Sequence, residues 1–225
     1  MLVEIHSHYA QQFAMARHVD RVYDFALSPL VLHGLFTGDA GPLRRWLEIR
    51  PTNAVTVLDT HDGIGVHDVG RDVTDPRRAG LLEEEQIDAL VERIFDNTKG
   101  ASRTTTGTAA SNVDLYQVNS TYYDAVARDD RAYLLARLLQ FFTPGIPQVY
   151  YVGLLAGEND MKLLASSGVG RDINRHRYPP AEVEATLERP VVQDLLALIR
   201  FRNAHPAFAG AWRCSSEGRS ELSMR

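Results

Sequence analysis

The sequence predicts an α/β protein built on a parallel sheet or barrel. Three observations carry this reading. Short runs rich in β-branched and aromatic residues alternate with helical patterns, which is the alternation of parallel α/β architectures. Polar clusters follow the first and third of these runs directly, at Glu4-Ile5-His6 and His61-Asp62-Gly63. In a (β/α)₈ barrel the C-terminal ends of the strands face the active site. Composition is ordinary for a globular protein, with 44% hydrophobic and 24% charged residues in 225.

Taken in order, residues 2–5 and 22–25 read as the first two strands. Residues 29–36 form an apolar helix closing near Gly38, and residues 54–58 form the third strand. Residues 65–118 make a connection longer than an ordinary βα loop, with its own helix and a Gly/Ser/Thr-rich turn at 102–112. Ile87, Leu90, Val91 and Ile94 recur at i, i+3, i+4, i+7, which defines one face of that helix. Long loops in compact domains are usually functional, so this one reads as an active-site insertion. A further helix begins at an N-cap on Asp129 or Asp130, turns Leu134, Leu135, Leu138, Phe141 and Phe142 inward, and stops at Pro144-Gly145. Residues 148–152 read as the fourth strand. A last helix from Pro190 buries Val192, Leu195, Leu196 and Ile199. Four strands cannot close a barrel, and the first has no preceding helix to cover its edge, so the expectation is part of a larger domain.

Charge and cysteine usage exclude several function classes. The formal net charge is −5 with scattered Lys and Arg, which disfavours nucleic acid or an acidic membrane as partner. A single cysteine, Cys214, rules out a disulfide framework or a Cys-rich metal site. The N-terminus lacks the basic flank and apolar core of a signal peptide, and prolines break the apolar stretch 141–156. A cytoplasmic protein is expected.

Four stretches could carry chemistry. Glu4, beside His6 at a strand end, is placed for general acid/base work, although a solvated terminal Glu is the commoner case. His61 and Asp62 can orient sugar hydroxyls and stabilise positive charge, but Asp-Gly also simply turns a chain. Asp114, Tyr116 and Gln117 offer a carboxylate, an aromatic ring and an amide on the Gly/Ser/Thr-fed loop. Arg171 can bind a carboxylate bidentately or hold hydroxyls.

Long strings join these sites. AVTVLDTHDGIGV resembles the fourth conserved region of α-amylase-clan enzymes in the form found in sucrose phosphorylases. TAASNVDLYQVNSTYYDA resembles their mobile acceptor loop, and PGIPQVYYVGLLAGENDM their eighth strand and its loop. GRDINRHRYPPAEVE and RPVVQDLLALIRFRN continue the likeness, which fades after Gly210.

The resemblance implies part of a (β/α)₈ TIM barrel of glycoside hydrolase family 13, about strands 5–8. Residues 1–64 would hold strands 5–7, 65–128 the active-site insertion, 129–210 the last barrel units, and 211–225 the start of a C-terminal β-domain that is otherwise absent. It implies Glu4 as general acid/base and Asp62 as transition-state stabiliser. His61, Asp114 and Arg171 would hold the glucosyl ring, with His6, Leu115, Tyr116 and Gln117 facing the acceptor.

The implied activity is that of a glycosyltransferase converting sucrose and phosphate to α-glucose 1-phosphate and fructose by retaining double displacement. Neither metal nor organic cofactor is implied. The family's nucleophilic aspartate has no counterpart in this sequence: Asp20 and Asp24 flank another strand. The isolated chain is therefore expected to be inactive and poorly soluble, unless a homodimer or a complementary half completes it.

Two rivals stand beside this. Phosphorylases of sucrose 6-phosphate, glucosylglycerol or glucosylglycerate share the scaffold. A metal-dependent amidohydrolase-like barrel would instead use the H-x-H pair His6 and His8, with ligands from His61, Asp62, His67 and Asp68.

Overall fold

The computed structural model describes residues 1–105 and 117–225. Four short strands form a parallel sheet in chain order: β1 (Leu2–Val3), β2 (Arg21–Asp24), β3 (Ala54–Thr56) and β6 (Ile146–Pro147). Val22 pairs with Ala54, Asp24 with Thr56, and Val55 with Ile146. Helices α1 (Tyr9–Ala16), α2 (Leu27–Thr37) and α3 (Gly41–Ile49) make the first crossovers. Between β3 and β6 lie β4 (Ile64–Gly65), α4 (Glu84–Asn97), β5 (Gln117–Val118), α5 (Tyr122–Ala125) and α6 (Asp130–Phe142). After β6 follow α7 (Tyr151–Leu154), α8 (Met161–Ser167), α9 (Pro180–Leu187), α10 (Pro190–Ala204) and a hairpin of β7 (Cys214–Ser215) with β8 (Ser223–Met224). The mixed α/β class with a parallel sheet is the one the strand–helix alternation predicts. Among the described residues no helix is long and apolar enough to cross a membrane.

Side-chain alternation along the strands separates two apolar clusters. Ala26, Leu27, Leu30 and Leu32 of α2 and its approach join Trp46, Leu58, Ile94, Tyr133 and Leu195 in the main core. Helix α2 is buried from Leu27 to His33, so it is apolar all round rather than striped. It ends at Gly38, whose φ of 69° is the left-handed cap that stops a helix. Tyr23, Phe25, Val55 and Val57, which share the other parity, form a small second cluster. Buried Asp24 ties the sheet to α3, accepting from Trp46 Nε1 (2.9 Å) and Arg50 Nε (2.7 Å).

Three sequence expectations need correction. The fourth strand is Ile146–Pro147, not residues 148–152, where α7 begins. A short apolar run does not distinguish strand from buried helix by periodicity, and here Tyr133 Oη donates to Gly153 O and holds the run as a helical turn. The first and third strands stop at Val3 and Thr56, short of residues 5 and 58. Helix α6 does take its N-cap from Asp129, which accepts from the amides of Arg131 and Ala132. Its inward face, however, is Tyr133, Ala136, Arg137, Gln140 and Phe141, leaving Leu135 and Leu138 exposed.

Polar chemistry overrides the apolar stripe in α6. Arg137 Nη2 donates to Asp59 Oδ2 at 2.6 Å, and Gln140 Nε2 donates to Thr56 O and Gln148 O beside Pro147, which has no N–H of its own. Helices α1, α3, α8 and α9 lie outside the predicted set. α1 is capped by His8, a residue type that gives little N-cap signal in a sequence.

Candidate active site

Glu4 and His6 follow β1, and His61 and Asp62 follow β3, so the C-terminal ends of nearby parallel strands deliver both clusters to one side of the sheet. They converge. One polar atom each from Glu4, His6 and Asp62 lie within 4.8 Å of one another. His6 stacks on Phe25 from the end of β2, with ring centroids 3.9 Å apart and planes at 21°. Its Nε2 is 3.8 Å from Glu4 Oε1, and its Nδ1 is 3.3 Å from Asp68 Oδ2. Burial disfavours the charged ring, but the hydrogen bond and charge of Asp68, then the charges of Glu4 and Asp62, outweigh it and raise the His6 pKa above 6.5.

Asp62 is held from the far end of the chain. Arg171 Nη1 is 3.1 Å and Arg175 Nη2 3.4 Å from its Oδ1, while Asn174 Nδ2 donates to the Asp62 and Thr60 carbonyls. Arg175 Nε also donates to His61 O at 2.8 Å. These groups stand on the 3-10 turn Gly170–Asn174 and the residue after it. The His61 ring sits 3.6 Å from Asp62 Oδ1 and is mostly solvent-exposed. Beneath, the loop leaving β3 is anchored by the fully buried Asp59–Arg137 pair. Glu4 remains open to solvent and Asp62 is largely enclosed, a division suited to a proton-transferring carboxyl beside a fixed one.

Of the remaining sequence candidates, Gln117 is buried in β5, opposite Gly65 of β4. Asp114, Leu115 and Tyr116 lie outside the described residues. Asp20 pairs with the N-terminal amine at the surface and Asp24 is enclosed by Arg50 and Trp46, so neither reaches the site.

The H-x-H metal reading finds no support. His8 points away, its Nδ1 accepting from Ala10 N (3.2 Å) and its Nε2 bonding Ala79 O (3.1 Å), which uses both nitrogens. Asp68 is spent on His6, and two guanidinium groups crowd Asp62.

Arg175 and Phe25 were not among the sequence candidates for this site, and Asp68 entered only as a metal ligand of the rival reading. Arg175 was within reach of sequence reasoning: it stands four residues after Arg171 in the same polar run. Phe25 reads only as a strand residue. Nothing in the sequence pairs Asp68 with His6 outside that metal reading.

No family model matches the chain. It is 62% identical over 222 residues to a sucrose phosphorylase of Agrobacterium vitis, covering 99% of this chain and 45% of that protein. It is 45% identical to a glucosylglycerol phosphorylase of Marinobacter adhaerens, again over 99% of this chain and 45% of the other. The crystal structure of a sucrose 6F-phosphate phosphorylase from Thermoanaerobacter thermosaccharolyticum superposes with a TM-score of 0.85 at 38% identity, covering 99% of this chain and 44% of that one. The similarity thus runs on past Gly210, where the sequence reading lets it fade. The chain spans a little under half the length of the proteins it matches. Over nearly its whole length the chain is therefore similar to the corresponding part of sucrose phosphorylases and of related phosphorylases.

Proposed function

We propose that this chain carries the acid/base and transition-state-stabilising part of a retaining glucosyl-transfer site that acts on sucrose and phosphate. The observation that supports it is the convergence of Glu4, His6 and Asp62, with Arg171 and Arg175 gripping Asp62. In this reading the chain supplies strands 5–8 of a barrel, and residues 65–128 form its active-site insertion.

Glu4 protonates the fructosyl oxygen as the glycosidic bond breaks. It then takes the proton from phosphate as α-glucose 1-phosphate forms. Asp62, with His61 and Arg171 beside it, binds the glucosyl hydroxyls and stabilises positive charge at the anomeric carbon. The attacking carboxylate that forms the covalent glucosyl intermediate is not among these 225 residues and reaches the site from a complementary segment or second chain. His6 and Gln117, with Leu115 and Tyr116, face the acceptor, and Asp114 holds the glucosyl ring. The 62% identity to a sucrose phosphorylase, against 45% to the glucosylglycerol enzyme, favours sucrose over the related glucosides.

Binding tests this without turnover. Titration of the purified chain with glucose 1-phosphate should shift the His6 and His61 imidazole signals, and Asp62→Ala should abolish the shift. An unchanged spectrum at millimolar ligand contradicts the proposal.

A further inference from the structure

Asp68 sits in the 3-10 turn His67–Val69 of the long connection, 1% exposed. Its carboxylate collects donors from the stretch just after β1. Ser7 N (3.2 Å) and Gln12 Nε2 (3.4 Å) reach Oδ1, and His6 Nδ1 (3.3 Å) reaches Oδ2. A carboxylate this deeply buried is costly unless fully hydrogen-bonded, so the three donors also fix where it points. Gly65 presses on it from β4: a Cβ there would stand 2.5 Å from Asp68 Oδ2 and 3.5 Å from His6 Nδ1. On the other side, Phe25 covers the face of the His6 ring. His6 Nε2 is buried, makes no hydrogen bond to the described residues, and lies next to Glu4.

We infer that Asp68 is a positioning residue that fixes the His6 proton on Nδ1 and aims Nε2 at Glu4 and at the acceptor atom whose proton Glu4 handles. The inference rests on the roles proposed above for Glu4 and His6. With Nδ1–H engaged, the neutral ring offers Nε2 as an acceptor to a hydroxyl, and the protonated ring offers it as a donor to an anionic oxygen. The titratable groups facing His6 are Asp68, Glu4 and Asp62, all carboxylates, and the raised pKa follows from them against the pull of burial. Below that pKa the site suits phosphate. As pH rises through it, the same atom comes to suit a sugar hydroxyl.

Long-range ¹⁵N–¹H spectra of the imidazoles in the chain test this without substrate. In the unmodified chain the neutral His6 should be the Nδ1–H tautomer, with its pKa above 6.5. In Asp68→Asn the carboxamide oxygen stays with Ser7 N and Gln12, so its NH₂ faces His6. The tautomer should then switch to Nε2–H and the pKa should fall. An Nε2–H tautomer in the unmodified chain, or an unchanged tautomer and pKa in the variant, overturns the inference. Should Asp68→Asn fail to fold, Gly65→Ala displaces the carboxylate by steric contact and should move the same two readouts. Failure here leaves the glucose 1-phosphate titration intact, and failure of that titration leaves the tautomer assignment intact.

Discussion

Arg171 and Arg175 approach the same oxygen of Asp62, and Arg175 also ties down the neighbouring His61 carbonyl. Losing one guanidinium leaves the other, but frees the backbone that carries both residues. Arg175→Ala should therefore lower kcat/KM of the completed enzyme by roughly 100-fold, the scale set by an ångström of misplacement, while leaving the melting temperature little changed. Steady-state kinetics beside a thermal melt checks this. That Glu4 and Asp62 meet was legible in the sequence, because both stand in dense polar strings at strand ends. Asp68 was not, since its role depends on a fold-back that brings residue 68 against residue 6. No local pattern encodes that contact.

At the scale of elements, polar ties hold the site's loops. The Asp59–Arg137 pair is buried on both sides, and truncation of one partner strands the other charge. Arg137→Ala should cost roughly 3–5 kcal/mol in denaturant unfolding. Gly153→Ala should be comparably harmful, because its Cβ would fall 1.8 Å from Asp59 Oδ2.

A second tie links the N-cap of α8 to α9: His176 bonds Asp160 at 2.5 Å through Nδ1 and Glu182 at 2.9 Å through Nε2. Burial opposes the charged imidazole, but these two carboxylates outweigh it, so the His176 pKa rises above 6.5. Burial likewise opposes the charged Asp160, yet hydrogen bonds from His176 and Leu163 N bring its pKa below 3.8. The His176 contribution to stability is complete below 6.5 and fades as pH rises through the raised value. The Asp160 contribution is present above 3.8 and fades as pH falls through the lowered one. Unfolding of His176→Gln should accordingly differ from the unmodified chain most in mildly acidic buffer and least in alkaline buffer. The polar face of α6 was hidden from the sequence because Arg137 and Gln140 read as solvent-facing until Asp59 and Pro147 are placed opposite them.

For the whole molecule, the parallel sheet ends on β1 and β6, and among the described residues neither has a partner on its outer edge. Leu2 and Ile146 are about half exposed there. Unpaired parallel edges with apolar side chains recruit other chains. Sedimentation should show concentration-dependent association that Ile146→Lys reduces. The α/β class was readable from strand–helix alternation alone. The register of β6 was not, because a two-residue strand ending on proline carries no periodicity.

Glucose 1-phosphate formation from sucrose and phosphate tests the proposed division of the active site most directly. The assay compares the chain alone, the chain mixed with the preceding half of the Agrobacterium vitis sucrose phosphorylase, and the same mixture with Asp62→Asn. We expect no product from the chain alone, product from the mixture, and its loss in the variant. Product from the chain alone would contradict the origin of the nucleophile, and undiminished product from the Asp62→Asn mixture would contradict the assignment of Asp62.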